Sequence, residues 1–354
     1  MISKKAFGQL KTGQKIKAFT LENELGMKVV VLNYGGIIKE LWVPDEKDIL
    51  GNVVLGYEHI EAYEENPAYL GAMIGPSAGR IEGGILPIEN TIYKLEQNSG
   101  DHTLHGGSKG FHNRVMDDTF YEDENSFKLE LDFKIMDLVD GLPGDRAVKI
   151  TYTLMKNRNE LSLTMEASTN KNTYMNITNH SYFNLSGIEN EDVLNHEMII
   201  NADAFGPVDT DMIPRKGWTL VKDTPFDFRQ AKTIKSALET SYNQITNNQG
   251  IDHPFKLNKS KSDVKYNNAA MLWDPISKRK MTVLTSYPHI VIYTGNFLNE
   301  ADVSTNEGMI KHQGICFEAQ EVPNAPRSNP DTCQIIKAGQ HYSHTIIYSF
   351  EVEN

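Results

Sequence analysis

The chain has 354 residues, of which 39% are hydrophobic and 23% are charged, a composition typical of a globular protein with a sizeable core. A net charge of −12 argues against a nucleic-acid partner, because phosphate binding needs a basic surface. There is no run of about 18 apolar residues to predict a membrane span, and the N-terminal residues lack a signal-peptide pattern. Two cysteines, Cys316 and Cys333, do not resemble a disulfide framework, so we expect a cytoplasmic protein with reduced thiols.

The first part of the chain predicts mainly β-strands. KVVVLNY (28–34) is a nearly continuous apolar run, as expected of a strand that is covered on both faces. YEHIEAYEEN (57–66) predicts a short helix. FKLELDFKI (127–135) alternates strictly between apolar and polar residues. Alternating residues on both sides of the polar turn KNRNE (156–160) predict a β-hairpin.

The second part continues this pattern. RQAKTIKSALET (229–240) predicts another short helix, and the polar stretch 241–268 predicts long loops. PHIVIYTGNF (288–297) predicts a second doubly covered strand, and HTIIYSFEVEN (344–354) alternates again. Since no linker or repeat interrupts the chain, we expect one domain over residues 1–354, built as a large antiparallel β-sandwich or barrel.

The motifs of the sequence leave two classes of function open, acid–base catalysis and ligand binding without catalysis. Nucleotide-binding, phosphate-loop, serine-hydrolase and CxxC motifs are all missing from the sequence. His102, His105 and His112 suggest a metal site, but residues three apart on a strand point to opposite faces, and no other ligand pattern supports one. We expect no metal. Gly106 and Gly107 instead allow the backbone to bring His105 close to a ligand.

The stretch NITNHSYFNLSG (176–187) raises two interpretations of His180. Its amide neighbours could fix the orientation and tautomer of a functional imidazole, or His180 could be a core histidine in a polar network. The same stretch spells three glycosylation acceptors, which a cytoplasmic protein would not use.

Three further polar residues have ordinary structural alternatives. Glu318 follows an apolar strand in GICFEAQEVPNAP (314–326), and it faces either solvent or a cavity. Asp252, in GIDHPF, is a common turn residue. Arg80, in GPSAGRIEGG, could form a surface salt bridge on a turn.

Together and in this order, these segments resemble the aldose 1-epimerase (galactose mutarotase) family. The resemblance spans nearly the whole chain and is carried by NYGGIIKELWVPD (33–45), GPSAGRIEGG (75–84), TLHGGSKGFHNRV (103–115), NITNHSYFNLSG, GIDHPF (250–255), YTGNFL (293–298) and ICFEAQEVPNAP (315–326). It implies an all-β fold, a large antiparallel β-supersandwich with a few short helices. It also implies a cofactor-free interconversion of the α and β anomers of free hexoses.

By motif position, the resemblance implies a role for each candidate residue. Glu318 would be the general base that takes the proton of the C1 hydroxyl, and His180 the general acid that protonates the ring oxygen. His105 would bond the ring oxygen or a neighbouring hydroxyl. Arg80 and Asp252 would hold sugar hydroxyls. The partner would be a monosaccharide, bound by a monomer or a homodimer.

The chain departs from the family pattern at three positions. Pro76 and Gly79 stand where the family often has Arg and Asn, and Val291 stands where some members have Gln. These changes affect expected sugar contacts and leave the acid and the base in place. Three rival functions are a hexose-6-phosphate 1-epimerase, which should carry more arginines, a glycosidase, which needs two carboxylates, and a non-catalytic sugar-binding protein.

Overall fold

A computed structural model describes residues 1–187, 191–259, 264–300, 308–330 and 333–353. The strands up to residue 169 are β1 (Ile2–Gln9), β2 (Lys15–Glu22), β3 (Lys28–Leu32), β4 (Ile38–Pro44), β5 (Leu50–Asn52), β6 (Met73–Ile74), β7 (Arg80–Ile81), β8 (Ile85–Ile88), β9 (Thr91–Lys94), β10 (Thr103–Leu104), β11 (Asp117–Glu122), β12 (Ser126–Ile135), β13 (Arg146–Met155) and β14 (Glu160–Thr169).

The later strands are β15 (Thr173–Tyr174), β16 (Thr178–Asn179), β17 (Tyr182–Phe183), β18 (Glu197–Ile200), β19 (Ala202–Phe205), β20 (Thr219–Leu220), β21 (Lys232–Thr233), β22 (Asp252–Leu257), β23 (Asn267–Trp273), β24 (Arg279–Thr285), β25 (His289–Tyr293), β26 (Ile315–Gln320), β27 (Ile335–Ile336) and β28 (His341–Val352). The short α-helices are α1 (Ile60–Glu65), α2 (Ile234–Leu238), α3 (Asn243–Thr246) and α4 (Ala325–Ser328). Single 3₁₀ turns cover Glu82–Gly84, Gly107–Lys109, Phe111–Asn113 and Leu298–Glu300.

Three large sheets organise these strands. A five-stranded sheet has the order β1-β2-β3-β4-β5, and a six-stranded sheet has the order β17-β26-β25-β22-β19-β20. A nine-stranded sheet has the order β11-β12-β13-β14-β28-β24-β23-β18-β21. The strand pairs in all three are antiparallel, and so are the four two-stranded pairs of the described chain. The expected antiparallel all-β fold is therefore confirmed.

The nine-stranded sheet contains the predicted hairpin and, near its centre, a strand from the C-terminal end of the chain. β13 and β14 pair across the KNRNE turn, for example at Ile150 and Met165. β28 then lies between β14 and β24, and Ile346 is the partner of Leu163 on one side and Thr285 on the other. The centre of this sheet thus combines segments about 180 residues apart in sequence.

A continuous apolar core lies between the sheets. It takes the inward side chains of β12, β13 and β14 together with those of the five-stranded and six-stranded sheets. The ring of Phe183 in β17 meets that of Tyr348 in β28 at a centroid distance of 4.9 Å. A bridge between Val54 and Phe183 links the segment that follows β5 to the six-stranded sheet. This layered arrangement positions the six-stranded sheet with one face in the core.

The helix predictions are confirmed as short helices, whereas the loop prediction for 241–268 is wrong in part. α1 and α2 lie within the two predicted segments. The stretch 241–268 contains α3, all of β22 and the start of β23, with 260–263 outside the described residues. β22 was missed because its alternation is masked by the proline and the histidine of DHPFKL, which tertiary pairing with β25 accommodates. In the described part of the chain, no helix is long and apolar enough to cross a membrane.

Candidate active site

The outer face of the six-stranded sheet carries the candidate base. Side chains alternate between the faces of a strand, so Glu318 of β26 points away from the core that receives Phe317. Across the sheet, Val291 is the partner of Glu318, and Pro254 is the partner of Val291. The next row on this face joins Asp252, Tyr293 and Cys316. The register of three strands therefore fixes which groups surround the Glu318 carboxylate.

Except for Cys316, the residues of these two rows form the floor of a cavity of about 290 Å³. This volume is near the lower end of the ~300–1,000 Å³ that is typical of small-molecule sites. The walls come from the turn before β7, from the end of β10, and from the loop that carries Val208, Met212 and Pro214. All five predicted site residues line this one cavity, although they lie as far apart in sequence as Arg80 and Glu318.

His180 faces Glu318 directly. Its Nε2 lies 3.6 Å from Glu318 Oε1, and its Nδ1 lies 3.5 Å from the Cys316 sulfur. The backbone on either side is fixed, because the His180 N–H donates to Ala72 O and its carbonyl accepts from Gly71 N. Burial lowers the pKa of His180 from 6.5 to about 4, since an imidazolium is poorly solvated there.

Glu318 is buried as well, with 3% of its surface exposed. Burial raises its pKa well above the usual 4.5, and the nearby charge of Asp252 raises it further. Arg80 acts in the opposite direction and lowers this pKa. Over the pH range between the pKa values of Glu318 and His180, the pair holds one proton that either group can carry.

The amide neighbours of His180 do not orient its ring, so that part of the sequence prediction is wrong. Asn179 donates to the carbonyl of Gly71 at 2.9 Å, and Asn184 donates to the carbonyls of Glu191 and Gln313 at 2.9 Å. The reason is geometric: these side chains satisfy buried backbone carbonyls near them, which would otherwise be left without donors. Asn179 thereby fixes the Gly71 backbone, whose N–H donates to the His180 carbonyl.

His105 is held in a defined tautomer by the turn that precedes Arg80. Its ring Nδ1 accepts the Gly79 N–H at 3.2 Å, and the backbone N–H of His105 donates to Gly79 O at 3.1 Å. Because Nδ1 is an acceptor, the proton of the neutral ring is on Nε2. Burial lowers the pKa of His105 well below 6.5, so the ring stays neutral and offers one N–H donor. His105 has a φ of 53° and Gly106 a φ of 84°, which explains the glycine after the histidine.

Arg80 and Asp252 meet at the cavity. Arg80 Nη1 lies 3.9 Å from Asp252 Oδ2, and both side chains are mostly buried. Burial raises the pKa of Asp252, and Arg80 partly offsets that effect. A loose ion pair of this kind leaves most of the guanidinium donors and one carboxylate oxygen for hydroxyl groups of a ligand.

The histidines of the 102–112 segment diverge. His102 Nδ1 accepts the Gly83 N–H at 3.1 Å, and its Nε2 lies 3.7 Å from Asp211. Among the described residues, no group of three or more His, Cys, Asp or Glu side chains could hold a metal ion.

Sequence reasoning missed several residues of the site. Tyr69 packs its ring 4.7 Å from that of His105 and 6.1 Å from that of His180. Met212 and Gln320 also line the cavity. Tyr69 has a φ of 57° and precedes Gly71, which also has a positive φ, but a turn of this kind does not by itself mark a site. Gln320 could have been found, because it lies on the same strand face as Glu318.

Two of the three departures from the family pattern line the cavity. A Cβ at Gly79, where φ is 73°, would stand 2.5 Å from Pro323 Cβ, so this chain has no room for a larger residue there. Val291 places an apolar side chain directly beside Glu318. Pro76 uses its carbonyl to accept the Asn176 N–H at 2.7 Å and does not line the cavity.

Comparisons with known proteins identify the family of this chain. The family model for aldose 1-epimerase matches residues 17–349. The chain is 33% identical over 354 residues to galactose mutarotase of Sus scrofa, with 99% of each chain covered. It is 33% identical over 345 residues to aldose 1-epimerase of Escherichia coli (strain K12), covering 96% of this chain and 97% of the relative.

A solved structure shows the same fold. The crystal structure of galactose 1-epimerase from Lactobacillus acidophilus NCFM aligns with a TM-score of 0.87 and 31% identity, covering 100% of this chain and 99% of that one. The supersandwich that the sequence resemblance implied is thereby confirmed.

Proposed function

Since the chain belongs to the aldose 1-epimerase family, we propose that Glu318 and His180 carry out the two proton transfers of its reaction. The chain is an aldose 1-epimerase, an isomerase that interconverts the α and β anomers of an aldose and needs no cofactor. The roles that we propose for individual residues are those that the family resemblance implies, and the chemistry of the cavity supports them. Galactose and glucose are the substrates that we propose.

Ring opening requires one proton to leave and another to arrive. The Glu318 carboxylate takes the proton of the C1 hydroxyl, while His180 Nε2–H gives its proton to the ring oxygen. The electrons of the O–H bond then form the C1 carbonyl, and the C1–O5 bond breaks. Rotation about C1–C2 presents the other carbonyl face, and the reverse transfers close the ring as the second anomer.

One observation carries this assignment: an imidazole Nε2 and a carboxylate oxygen lie 3.6 Å apart, both buried in the same cavity. Burial moves their pKa values in opposite directions, upward for Glu318 and down to about 4 for His180. In the free protein the proton that the pair holds therefore resides on Glu318. It passes to His180 when a substrate engages both groups, which leaves a carboxylate as the base.

Neighbouring groups hold the sugar. His105 donates through Nε2 to the ring oxygen or an adjacent hydroxyl, and Arg80 with Asp252 binds further hydroxyls. Such contacts fix the reacting atoms in place, which lowers the entropic part of the barrier. Of the described residues that line the cavity, Arg80 is the one with a permanent positive charge, so a phosphorylated sugar would find few partners.

Polarimetry on freshly dissolved α-D-galactose and α-D-glucose tests the proposal. The protein should accelerate mutarotation of both, and Glu318→Gln should reduce kcat by roughly 10²–10⁴-fold, the usual contribution of one acid or base. Glu321→Gln is the matched control, because Glu321 is equally buried, follows three residues later and lies outside the cavity lining. Full activity of Glu318→Gln would overturn the assignment.

We propose that the protein acts in the cytoplasm on a free monosaccharide, as a single domain in a monomer or homodimer. Both Cys316 and Cys333 are free thiols, as is common in a reducing compartment. Light scattering of the purified chain would decide between the two oligomeric states, and fractionation of cells would test the location.

A further inference from the structure

Two buried side-chain amides connect the backbone to the Glu318 carboxylate, and neither of them takes part in the two proton transfers. Asn176 Nδ2 donates to Gln320 Oε1 at 3.4 Å, and Gln320 Nε2 donates to Glu318 Oε2 at 3.5 Å. We propose that Asn176 and Gln320 form an amide relay, a pair of positioning residues that stabilises the ionised form of Glu318 and fixes its orientation. This inference rests on the proposed role of Glu318 as the base.

The backbone fixes the orientation of the first amide. Asn176 Oδ1 accepts the Glu321 N–H at 2.9 Å, and Nδ2 donates to Glu321 O at 3.1 Å and to Ala78 O at 3.4 Å. Turning the amide over would place its oxygen against two carbonyl oxygens and its NH₂ group against an N–H. Because Asn176 has no exposed surface, water cannot compensate for such a loss.

The first amide then determines the orientation of the second. The two Nδ2 hydrogens of Asn176 are shared among Ala78 O, Glu321 O and Gln320 Oε1, so Gln320 must turn its oxygen toward Asn176, and its NH₂ group faces Glu318. In the reverse orientation the Gln320 oxygen would repel an ionised Glu318. Among the hydrogen bonds of the described residues, the Gln320 donor is the one that reaches this carboxylate.

The relay also gives the two oxygens of the Glu318 carboxylate different partners. Gln320 and Glu318 are two residues apart on β26 and therefore project from the same face. Gln320 holds Oε2, which leaves Oε1 for the contact with His180 Nε2 at 3.6 Å. A donor on one oxygen thus keeps the other directed toward the group with which Glu318 shares its proton.

Other charged and titratable groups face Glu318 from several elements. The ones that interact with it electrostatically or contact it are Arg80, Asp252, His180, Cys316, Tyr182 and Tyr348. The substitutions below leave all of these unchanged, so a change in the titration of the pair reports the relay.

Gln320→Met removes the donor and keeps the length of the side chain. Both the reactive arrangement and the fully deprotonated pair contain an ionised Glu318, and both lose stabilisation. We therefore expect the maximum of kcat/KM to fall about tenfold and its high-pH limb to move upward by about one pH unit, the weak end for a hydrogen bond to a charged group. The low-pH limb, where His180 is protonated beside a protonated Glu318, should stay in place.

Asn176→Ala tests the other half of the relay. It frees the Gln320 amide to turn, so we expect the same upward shift of the high-pH limb, at most as large as in Gln320→Met. The double variant should show no shift beyond that of Gln320→Met alone. Asn184→Ala is the matched control: it also removes a buried asparagine that donates to two backbone carbonyls, and both limbs should remain in place.

The outcomes separate the relay from the function on which it rests. Thermal unfolding first confirms that each variant is folded. If Glu318→Gln is inactive but Gln320→Met lowers the maximum without moving the high-pH limb, the relay is wrong and the function stands. If Asn184→Ala moves the limb as Asn176→Ala does, the relay is also wrong. If Glu318→Gln keeps full activity, the proposed function itself falls.

Discussion

Replacing His180 by asparagine should reverse the pH dependence of the reaction. In the native protein, kcat/KM should rise as pH increases through the lower pKa of the Glu318–His180 pair and fall above the upper one. The upper limb falls because the pair loses its last proton and no acid remains. In His180→Asn, Glu318 titrates alone, so catalysis by its carboxylate should rise with pH through its raised pKa. The same ionisation would thus inhibit one protein and activate the other.

The size of the effect follows from the burial of the imidazole. A shift of the His180 pKa from 6.5 to about 4 corresponds to about 3 kcal/mol for ionising the ring in the cavity. The carboxylate 3.6 Å away must offset most of this cost for His180 to act as an acid near neutral pH. Losing a working acid should lower kcat by roughly 10²–10⁴-fold at the optimum, with little change in KM.

The assay is polarimetry of α-D-galactose from pH 4 to 9, corrected for the spontaneous rate at each pH. His196→Asn is the control, since His196 is equally buried, has a pKa lowered to about 4 and does not line the cavity. It should keep the bell-shaped profile. A bell-shaped profile in His180→Asn as well would refute the reasoning, because the high-pH limb could not then report loss of the shared proton.

Three further predictions concern the stability of the fold and of the site. Gly79→Ala should lower stability by about 1–2 kcal/mol through its left-handed backbone alone, which urea unfolding would measure. It should also raise KM in polarimetry, because the new Cβ would meet Pro323 at 2.5 Å and displace the N–H that bonds His105 Nδ1. An unchanged KM would argue against a link between Gly79 and His105. Arg146→Lys should cost about 3 kcal/mol in unfolding experiments, because Arg146 bonds both oxygens of the fully buried Asp140 and lysine cannot; a loss below about 0.5 kcal/mol would contradict this. Acid should destabilise the protein, because burial lowers the pKa values of His112, His180, His196 and His253 to about 4 or 3 and the unfolded chain therefore binds more protons below pH 6.5. Each histidine should remove about 1.4 kcal/mol of stability per pH unit between pH 6.5 and its folded pKa, partly offset by the raised carboxyl pKa values. The urea midpoint should accordingly fall from pH 7.5 to pH 5.5.

Alternation and turn chemistry were enough to predict some of the strands that cross the core. The KNRNE hairpin and the doubly covered strand at 288–297 follow from patterns that extend over five residues or more, where local preference and burial agree. β22 does not have such a pattern, and it forms because β25 and β19 offer it partners on both sides. Pairing between distant segments is not encoded in either segment alone.

The site could be predicted in part. Motif order brought Arg80, His105, His180, Asp252 and Glu318 together as candidates, and the structure places all five in one cavity. From the residues alone, a solvent-facing Glu318 was more reasonable than a buried one, because alternation shows which face a side chain takes but not what covers that face.

Other members of the site depend on contacts that no local pattern records. The Asn176–Gln320 hydrogen bond joins residues 144 apart, and Tyr69 reaches His105 from a separate loop. The asparagines around His180 were assigned to its ring because they are near it in sequence. In the folded chain, the side-chain NH₂ groups of these asparagines donate to backbone carbonyls, which are the acceptors nearest to them.

The central place of β28 constrains how the protein can be synthesised. β14 and β24 each leave one edge unpaired until residues 341–352 have been made and have moved between them. A nascent chain that already contains Arg80, His105, His180, Asp252 and Glu318 would therefore expose two open strand edges, which invite pairing with other chains. Loss of this one strand from the finished protein would recreate that state, so a truncation before residue 341 should yield aggregates, although every residue of the cavity is still present.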